Sequence, residues 1–66
     1  MPAAETQLEM VQRHVCQGTK RVTRQRVIIT ELAERKQPTD LAESLLADFE
    51  NCLDAHKNRL ARLILI

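Results

Sequence analysis

The stretch KQPTD, residues 36–40, decides how this chain folds, because it separates two long segments that each carry a helical pattern. Pro38 has no backbone N–H to donate and disfavours the α conformation of the residue before it, so a helix that arrives there must end. Thr39 or Asp40 can cap a new helix, and Glu43 supplies an acidic residue three positions after Asp40. The chain therefore breaks once, near Pro38.

Both flanking segments repeat apolar or small residues at alternating steps of three and four, which is typical of a helix with one coiled-coil-like packing stripe. Thr6 and Glu9 have the spacing of a capping box, although the first helix can begin as early as residue 3. A short connection forces neighbouring helices to pack antiparallel. We therefore expect an all-α fold, an antiparallel two-helix hairpin of about residues 3–36 and 40–64, as a single domain over residues 1–66. The predicted packing seam consists of Val15, Gly18, Val22, Ile29, Leu32, Leu46, Phe49, Leu53 and Leu60.

Folding the chain back at Pro38 also predicts the register between the helices. Gly18 should lie opposite Leu60 and near His56, where its missing side chain makes room for a large neighbour. Gln25 should lie at the level of Leu53 and Phe49. The prediction is therefore a hairpin whose two arms meet residue by residue from the hinge outward.

The same register bears on the two cysteines. It separates Cys16 from Cys52 by about eight residues along the hairpin, or about 12 Å. A disulfide needs Cα atoms within about 7 Å. We therefore interpret both cysteines as reduced, mildly apolar packing residues.

A chain of 66 residues, with Phe49 as its one aromatic side chain, cannot bury a large core. Such short domains are only marginally stable unless they are cross-linked by disulfides, bind a metal or form oligomers. Several apolar residues also lie beside the predicted seam, and soluble monomers seldom expose a flank of this kind. These residues are Met10, Ile28, Leu41, Leu45, Cys52, Ile64 and Ile66. We therefore expect a homodimer in which two hairpins form a four-helix bundle, with another protein as a further partner left open.

Positive and negative charges are concentrated in different segments of the chain, and the basic segment contains RVTRQRVII, residues 21–29. Residues 10–36 carry seven Lys or Arg against two Glu, a net +5, whereas residues 37–56 carry five Asp or Glu and no Lys or Arg. The antiparallel register sets these segments side by side, so the basic charge should meet the acidic second helix. A single polar residue in an apolar seam commonly fixes register at some expense in stability. We predict a polar interaction layer made of Arg21, Arg24, Gln25, Arg26, Glu50, Asp54 and His56.

Nucleic-acid binding through the basic face of the first helix is the alternative function. Arg21, Arg24 and Arg26 could neutralise phosphates. However, no aromatic residues are interleaved to stack on bases, and the sequence pI is only about 7.8. A helix-turn-helix arrangement would bring the acidic start of the second helix near phosphates. We therefore expect no nucleic-acid partner.

Metal and enzyme chemistry find little support in the sequence. Cys52 and His56 are four residues apart, so two such pairs in a dimer could form a Cys2His2 zinc site. One hairpin does not supply the other ligands, because His14 should lie opposite residues near 62, where no ligand stands. A Gly-rich phosphate loop and a plausible pair of nucleophile and base are both missing. We expect no catalytic residues, no metal and no cofactor.

The longest apolar run is only Leu63 to Ile66, far short of the roughly 20 residues that span a bilayer. The N-terminal segment also lacks the pattern of a signal peptide. We expect a cytoplasmic protein without a membrane partner. Its function would be that of a small self-associating interaction or regulatory module.

Four short motifs carry a resemblance: HVCQG (14–18), RVTRQRVII (21–29), AESLLADFE (42–50) and LDAH (53–56). Their order and spacing resemble short uncharacterised helical proteins found as small open reading frames in α-proteobacteria. The likeness covers about residues 14–60 and implies no activity. Arg21 stands where that pattern has a His, so no ligand is implied at this position. The resemblance implies only that Arg24, Gln25, Arg26, Phe49, Glu50 and His56 act together.

Overall fold

The computed structural model describes residues 5–65, which form two α-helices packed against each other. Helix α1 spans Gln7–Glu34 and helix α2 spans Asp40–Leu65, and residues 5–65 contain no strand. Gln25 of α1 reaches Ala42 of α2, whereas Gly18 and His14, earlier in α1, face Leu53 and His56, later in α2, so the helices are antiparallel. The all-helical hairpin predicted from the sequence is confirmed.

Helix α1 begins later than residue 3. Thr6 has extended backbone angles, φ −71° and ψ 160°, and its hydroxyl oxygen accepts a 3.1 Å hydrogen bond from the Glu9 N–H. The same hydroxyl donates to a Glu9 carboxylate oxygen at 3.1 Å. The predicted start is therefore wrong, because Thr6 caps a helix that starts at Gln7, while residues 1–4 lie outside the described part of the chain.

Helix α1 also ends before residue 36. Lys36 adopts a left-handed conformation with φ 57°, and its N–H donates to the Ala33 carbonyl at 3.0 Å. The next N–H, that of Gln37, donates back to the Leu32 carbonyl at 2.9 Å. These two bonds form a Schellman motif, which satisfies the last carbonyls of a helix and reverses the chain. The helix consequently ends at Glu34.

Helix α2 starts at the predicted residue, Asp40. The Thr39 carbonyl accepts the first helical hydrogen bond, from the Glu43 N–H at 2.8 Å, so Thr39 is the N-cap residue. Asp40 and Glu43 then both lie in the first turn, where negative charge complements the helix dipole. Pro38 and its neighbours thus form a connection of five residues, 35–39.

The core between the helices is small, with five well-buried residues within residues 5–65. Val11 is fully buried, and Val22, Ala42, Leu53 and Gln25 are buried nearly as well. The remaining residues of the predicted seam are only half-buried, namely Val15, Gly18, Ile29, Leu32, Leu46, Phe49 and Leu60. Two helices alone therefore leave most seam side chains open on one flank.

The register differs from the predicted one. A Cβ atom built on Gly18 would lie 3.0 Å from Leu53 Cδ1, so Gly18 faces Leu53 and not Leu60. The Gln25 side chain reaches Ala42 and not the level of Phe49. The Schellman motif explains this, because it folds the chain back beside the last turn of α1. Helix α2 therefore starts alongside α1, one to two turns farther from the hinge than a simple fold at Pro38 predicts.

The interpretation of both cysteines as packing residues is wrong for the hairpin. Cys16 and Cys52 are free thiols with exposed side chains. Over residues 5–65, neither helix is sufficiently long and apolar to cross a membrane.

Candidate interaction face and histidine cleft

Gln25 is the one buried polar residue between Glu5 and Leu65, and its side chain forms a hydrogen bond between the helices. It is 7% exposed, and its Nε2 atom donates a 2.8 Å hydrogen bond to the backbone carbonyl of Ala42. Among residues 5–65, every buried side-chain nitrogen or oxygen has a hydrogen-bond partner. Gln25 therefore links the middle of α1 to the first turn of α2, and the link leaves no buried side-chain nitrogen or oxygen of residues 5–65 without a hydrogen-bond partner.

The other residues of the predicted polar layer are distributed over the surface. Arg26 and Glu50 form an ion pair with 3.6 Å between Nη2 and Oε1, and their side chains are 64% and 45% exposed. Arg21, Arg24 and Asp54 are also exposed, and within residues 5–65 they form no ion pair. The structure does not bring the seven residues together as one layer.

A second ion pair lies at the start of α1 and was not predicted. The Arg13 guanidinium meets the Glu5 carboxylate twice, with Nη2 to Oε2 at 3.1 Å and Nε to Oε1 at 3.2 Å. The two residues are eight apart, which is no standard helix pairing. Glu5 can fold back only because the chain leaves the helix at Thr6, so the sequence gives no simple signal for it.

His14 lies against His56, and not opposite residues near 62 as predicted. The centroids of the two imidazole rings are 4.9 Å apart and the ring planes are tilted by 52°. Both side chains are half-buried. The shift in register causes this contact, because it moves α2 along α1 until His56 reaches the level of His14.

The two histidines border an open cleft of about 300 Å³ between the helices. Helix α1 supplies polar side chains to it, and α2 supplies mostly apolar ones. Gly18 widens the cleft because it has no side chain there. The lining residues are His14, Gln17, Gly18, Arg21, Phe49, Cys52, Leu53 and His56.

Apolar residues continue from the cleft toward the hinge on both helices. On α2, Leu41 and Leu45 precede the cleft residue Cys52 by eleven and seven positions, so the three share one helical stripe. On α1, Ile28 follows the cleft residue Arg21 by seven positions and lies on the corresponding stripe. Leu41 is 77% exposed and Leu45 is 40% exposed. We name the cleft together with Ile28, Leu41 and Leu45 the cleft face.

The described part of the chain contains no cluster of three or more potential metal ligands. Over residues 5–65, no three side chains of His, Cys, Asp or Glu lie close enough together to hold one ion. Comparison with protein-family models, with curated proteins and with solved structures gave no match. The resemblance noted in the sequence therefore stays a prediction.

Proposed function

We propose that this chain is a non-catalytic interaction module and that its cleft face pairs with a second copy to form a four-helix bundle. The observation that carries the proposal is Leu41, which is 77% exposed although only four apolar residues among residues 5–65 are well buried. Burying a leucine side chain contributes about 1.5–3 kcal/mol. A second hairpin on this face would cover Leu41 and would close the open flank of the seam.

Charge at the borders of the cleft face favours a second copy over an unrelated partner. Arg24 borders it on α1, one turn from the cleft residue Arg21, and Asp48 borders it on α2 between the stripe residues Leu45 and Cys52. A two-fold axis parallel to the helices brings the same patch of both copies together and sets α1 of one copy against α2 of the other. The basic border of one copy then meets the acidic border of the other, while the apolar residues meet in the centre.

Sedimentation equilibrium over a range of protein concentrations tests the pairing. We expect a reversible dimer for the natural chain and a monomer for the double variant Leu41→Lys, Leu45→Lys. Both leucines are exposed in the hairpin, so this variant keeps the helical fold of one chain. A natural chain that stays monomeric and folded at all concentrations would refute the proposal.

Val27 provides the matched control. It is 52% exposed but lies on the outer face of α1, with the exposed residues Arg24 and Glu31 one turn away on either side. Val27→Lys adds the same charge to an exposed apolar position away from the cleft face. We expect this variant to dimerise like the natural chain, and equal weakening by Val27→Lys would show that the cleft face is not the interface.

Exposed basic side chains keep nucleic-acid binding as a second candidate function. Lys20, Arg21 and Arg24 are exposed and, within residues 5–65, form no ion pair, although the acidic helix was expected to neutralise them. Each phosphate contact adds about 0.9 to the slope of log affinity against log salt for duplex DNA. This alternative predicts that Arg21→Gln with Arg24→Gln reduces that slope by about two. If the chain is an interaction module only, the natural chain should not bind DNA, so the two substitutions should have no effect on DNA binding.

A further inference from the structure

We propose that His14 and His56 together bind one divalent transition-metal ion of the zinc class across the interface between α1 and α2. Zinc binds imidazole nitrogen at about 2.0–2.1 Å in tetrahedral geometry. Two imidazoles on one tetrahedral ion therefore have ring centroids about 5 Å apart. The observed centroid distance is 4.9 Å, and the rings are tilted by 52° and not stacked in parallel. The centroids of the two rings thus already lie at the separation that chelation requires.

The chemistry of the cleft determines which ions fit. Neutral imidazole suits Zn²⁺, Cu²⁺ and Ni²⁺ better than Mg²⁺ or Ca²⁺, which prefer oxygen. Since no third His, Cys, Asp or Glu in residues 5–65 completes a ligand set, the remaining coordination positions fall to water. The cleft is open and has about 300 Å³ of space, so water can occupy them.

This site differs from the zinc site that the sequence suggested. That site used Cys52 and His56 from α2 of two chains, whereas the proposed site uses one histidine from each helix of a single chain. The ion would therefore cross-link α1 to α2 within one hairpin. Both ligands belong to one chain, so a monomeric hairpin suffices to bind the ion, although the cleft is part of the face that the proposed dimer covers. The Leu41→Lys, Leu45→Lys variant, which we expect to be monomeric, should therefore bind Zn²⁺ as well, and this separates failure of one proposal from failure of the other.

Arg21 lowers the affinity of the site. Its side chain lines the same cleft as the two histidines, and its positive charge opposes a divalent cation. None of the described residues that line the cleft is an Asp or Glu that could balance this charge. The Arg21→Gln variant keeps both histidines and removes the repulsion, so it should bind Zn²⁺ several-fold more tightly than the natural chain.

The test is a titration of the untagged full chain with Zn²⁺ alone at pH 7.5, in the presence of a phosphine reductant. Calorimetry measures the binding, and thermal unfolding measures the change in stability. We expect one ion per chain. At free Zn²⁺ of about 100 times the dissociation constant, the ratio of folded to unfolded protein should rise about 100-fold. His14→Asn and His56→Asn should each abolish this response.

Two further variants exclude other ligands. The double variant Cys16→Ser, Cys52→Ser should respond to Zn²⁺ like the natural chain, because no thiolate belongs to the site. Circular dichroism without Zn²⁺ establishes whether each histidine variant folds. If one does not fold, the tighter binding expected of Arg21→Gln still tests the site.

Several results would overturn the proposal. One is an unfolding midpoint of the natural chain that does not change with Zn²⁺, because the ring pair would then be a packing contact only. Another is a Zn²⁺ response that persists without His14 or without His56. Loss of the response in the variant without thiols, or unchanged affinity in Arg21→Gln, would place the ion elsewhere.

Discussion

The Gln25 side-chain amide donates a 2.8 Å hydrogen bond to the backbone carbonyl of Ala42, and both residues are buried between the helices. A net contribution of about 1 kcal/mol is typical of such a bond. Its position is as important as its strength, because it fixes the middle of α1 against the first turn of α2. Sliding one helix along the other by a turn would leave the buried amide without its partner.

The Gln25→Glu variant tests the direction of this hydrogen bond. An ionised carboxylate cannot donate to the Ala42 carbonyl and is also desolvated. We therefore expect the free energy of unfolding at pH 7 to fall by about 2–3 kcal/mol. Burial raises the pKa of the introduced carboxyl group in the folded state. The deficit relative to the natural chain should therefore shrink as the pH falls through that raised pKa toward about 4. Urea unfolding of both proteins at matched pH measures this difference in the free energy of unfolding.

Gln25→Leu is the control for that experiment. It has a similar volume and removes the polar group that needs a partner, so the hairpin should keep its stability to within about 1 kcal/mol. A deficit of Gln25→Glu that does not depend on pH would contradict the proposed donor role. So would a loss in Gln25→Leu as large as that in Gln25→Glu.

The contact of Gly18 with Leu53 makes a quantitative prediction. Alanine is favoured over glycine inside a helix by about 0.8–1.0 kcal/mol. A Cβ atom on Gly18 would lie 3.0 Å from Leu53 Cδ1 and 3.6 Å from Leu53 Cβ, which is too close without a shift of the leucine. We expect Gly18→Ala to change the free energy of unfolding little, because the two effects offset each other.

A double-mutant cycle separates those two effects. Leu53→Val removes the Cδ atoms, so in this background Gly18→Ala should stabilise the protein by nearly the full helix preference of about 1 kcal/mol. The measurement is the free energy of unfolding of the four proteins in urea. An equal effect of Gly18→Ala in both backgrounds would show that Gly18 is not needed for close approach.

Lys36 is the residue for which a glycine substitution should stabilise the hairpin. Its φ of 57° lies in the left-handed region, where a residue with a Cβ atom costs about 1 kcal/mol or more. Lys36→Gly should therefore stabilise the protein by about 0.5–1 kcal/mol, measured by the midpoint of thermal or urea unfolding. Lys36→Ala removes the same charge but keeps the strained conformation, so this control should give no gain. A gain of equal size in both variants would assign the effect to charge.

The sequence was sufficient for the elements of the fold and insufficient for their alignment. Stripes at steps of three and four, and one Pro38, predict two helices and one hinge because these signals are local. The register depended on Lys36, a lysine in a position that usually belongs to glycine, so the Schellman motif left no mark in the sequence. The misplaced register then hid the contact of His14 with His56.

The polar residues were predicted less well for a related reason. Gln25 was recognised as a seam residue because its neighbours in the stripe are apolar. The arginines around it were assigned to the acidic helix from the predicted register and the opposite charges, yet long exposed side chains gain little from a fixed partner. Among Arg21, Arg24 and Arg26, the structure gives an ion pair within residues 5–65 only to Arg26.

The Arg26–Glu50 pair should contribute little to stability. Its atoms are 3.6 Å apart and its side chains are 64% and 45% exposed, so water screens the attraction. A double-mutant cycle with Arg26→Gln and Glu50→Gln should give a coupling energy below about 0.5 kcal/mol, and this value should fall further in 1 M salt. Arg24→Gln combined with Glu50→Gln serves as the control cycle, with coupling near zero. A coupling above about 1.5 kcal/mol for Arg26 and Glu50 would mean that the pair is shielded from solvent, as it would be if a second chain covered that side of the hairpin.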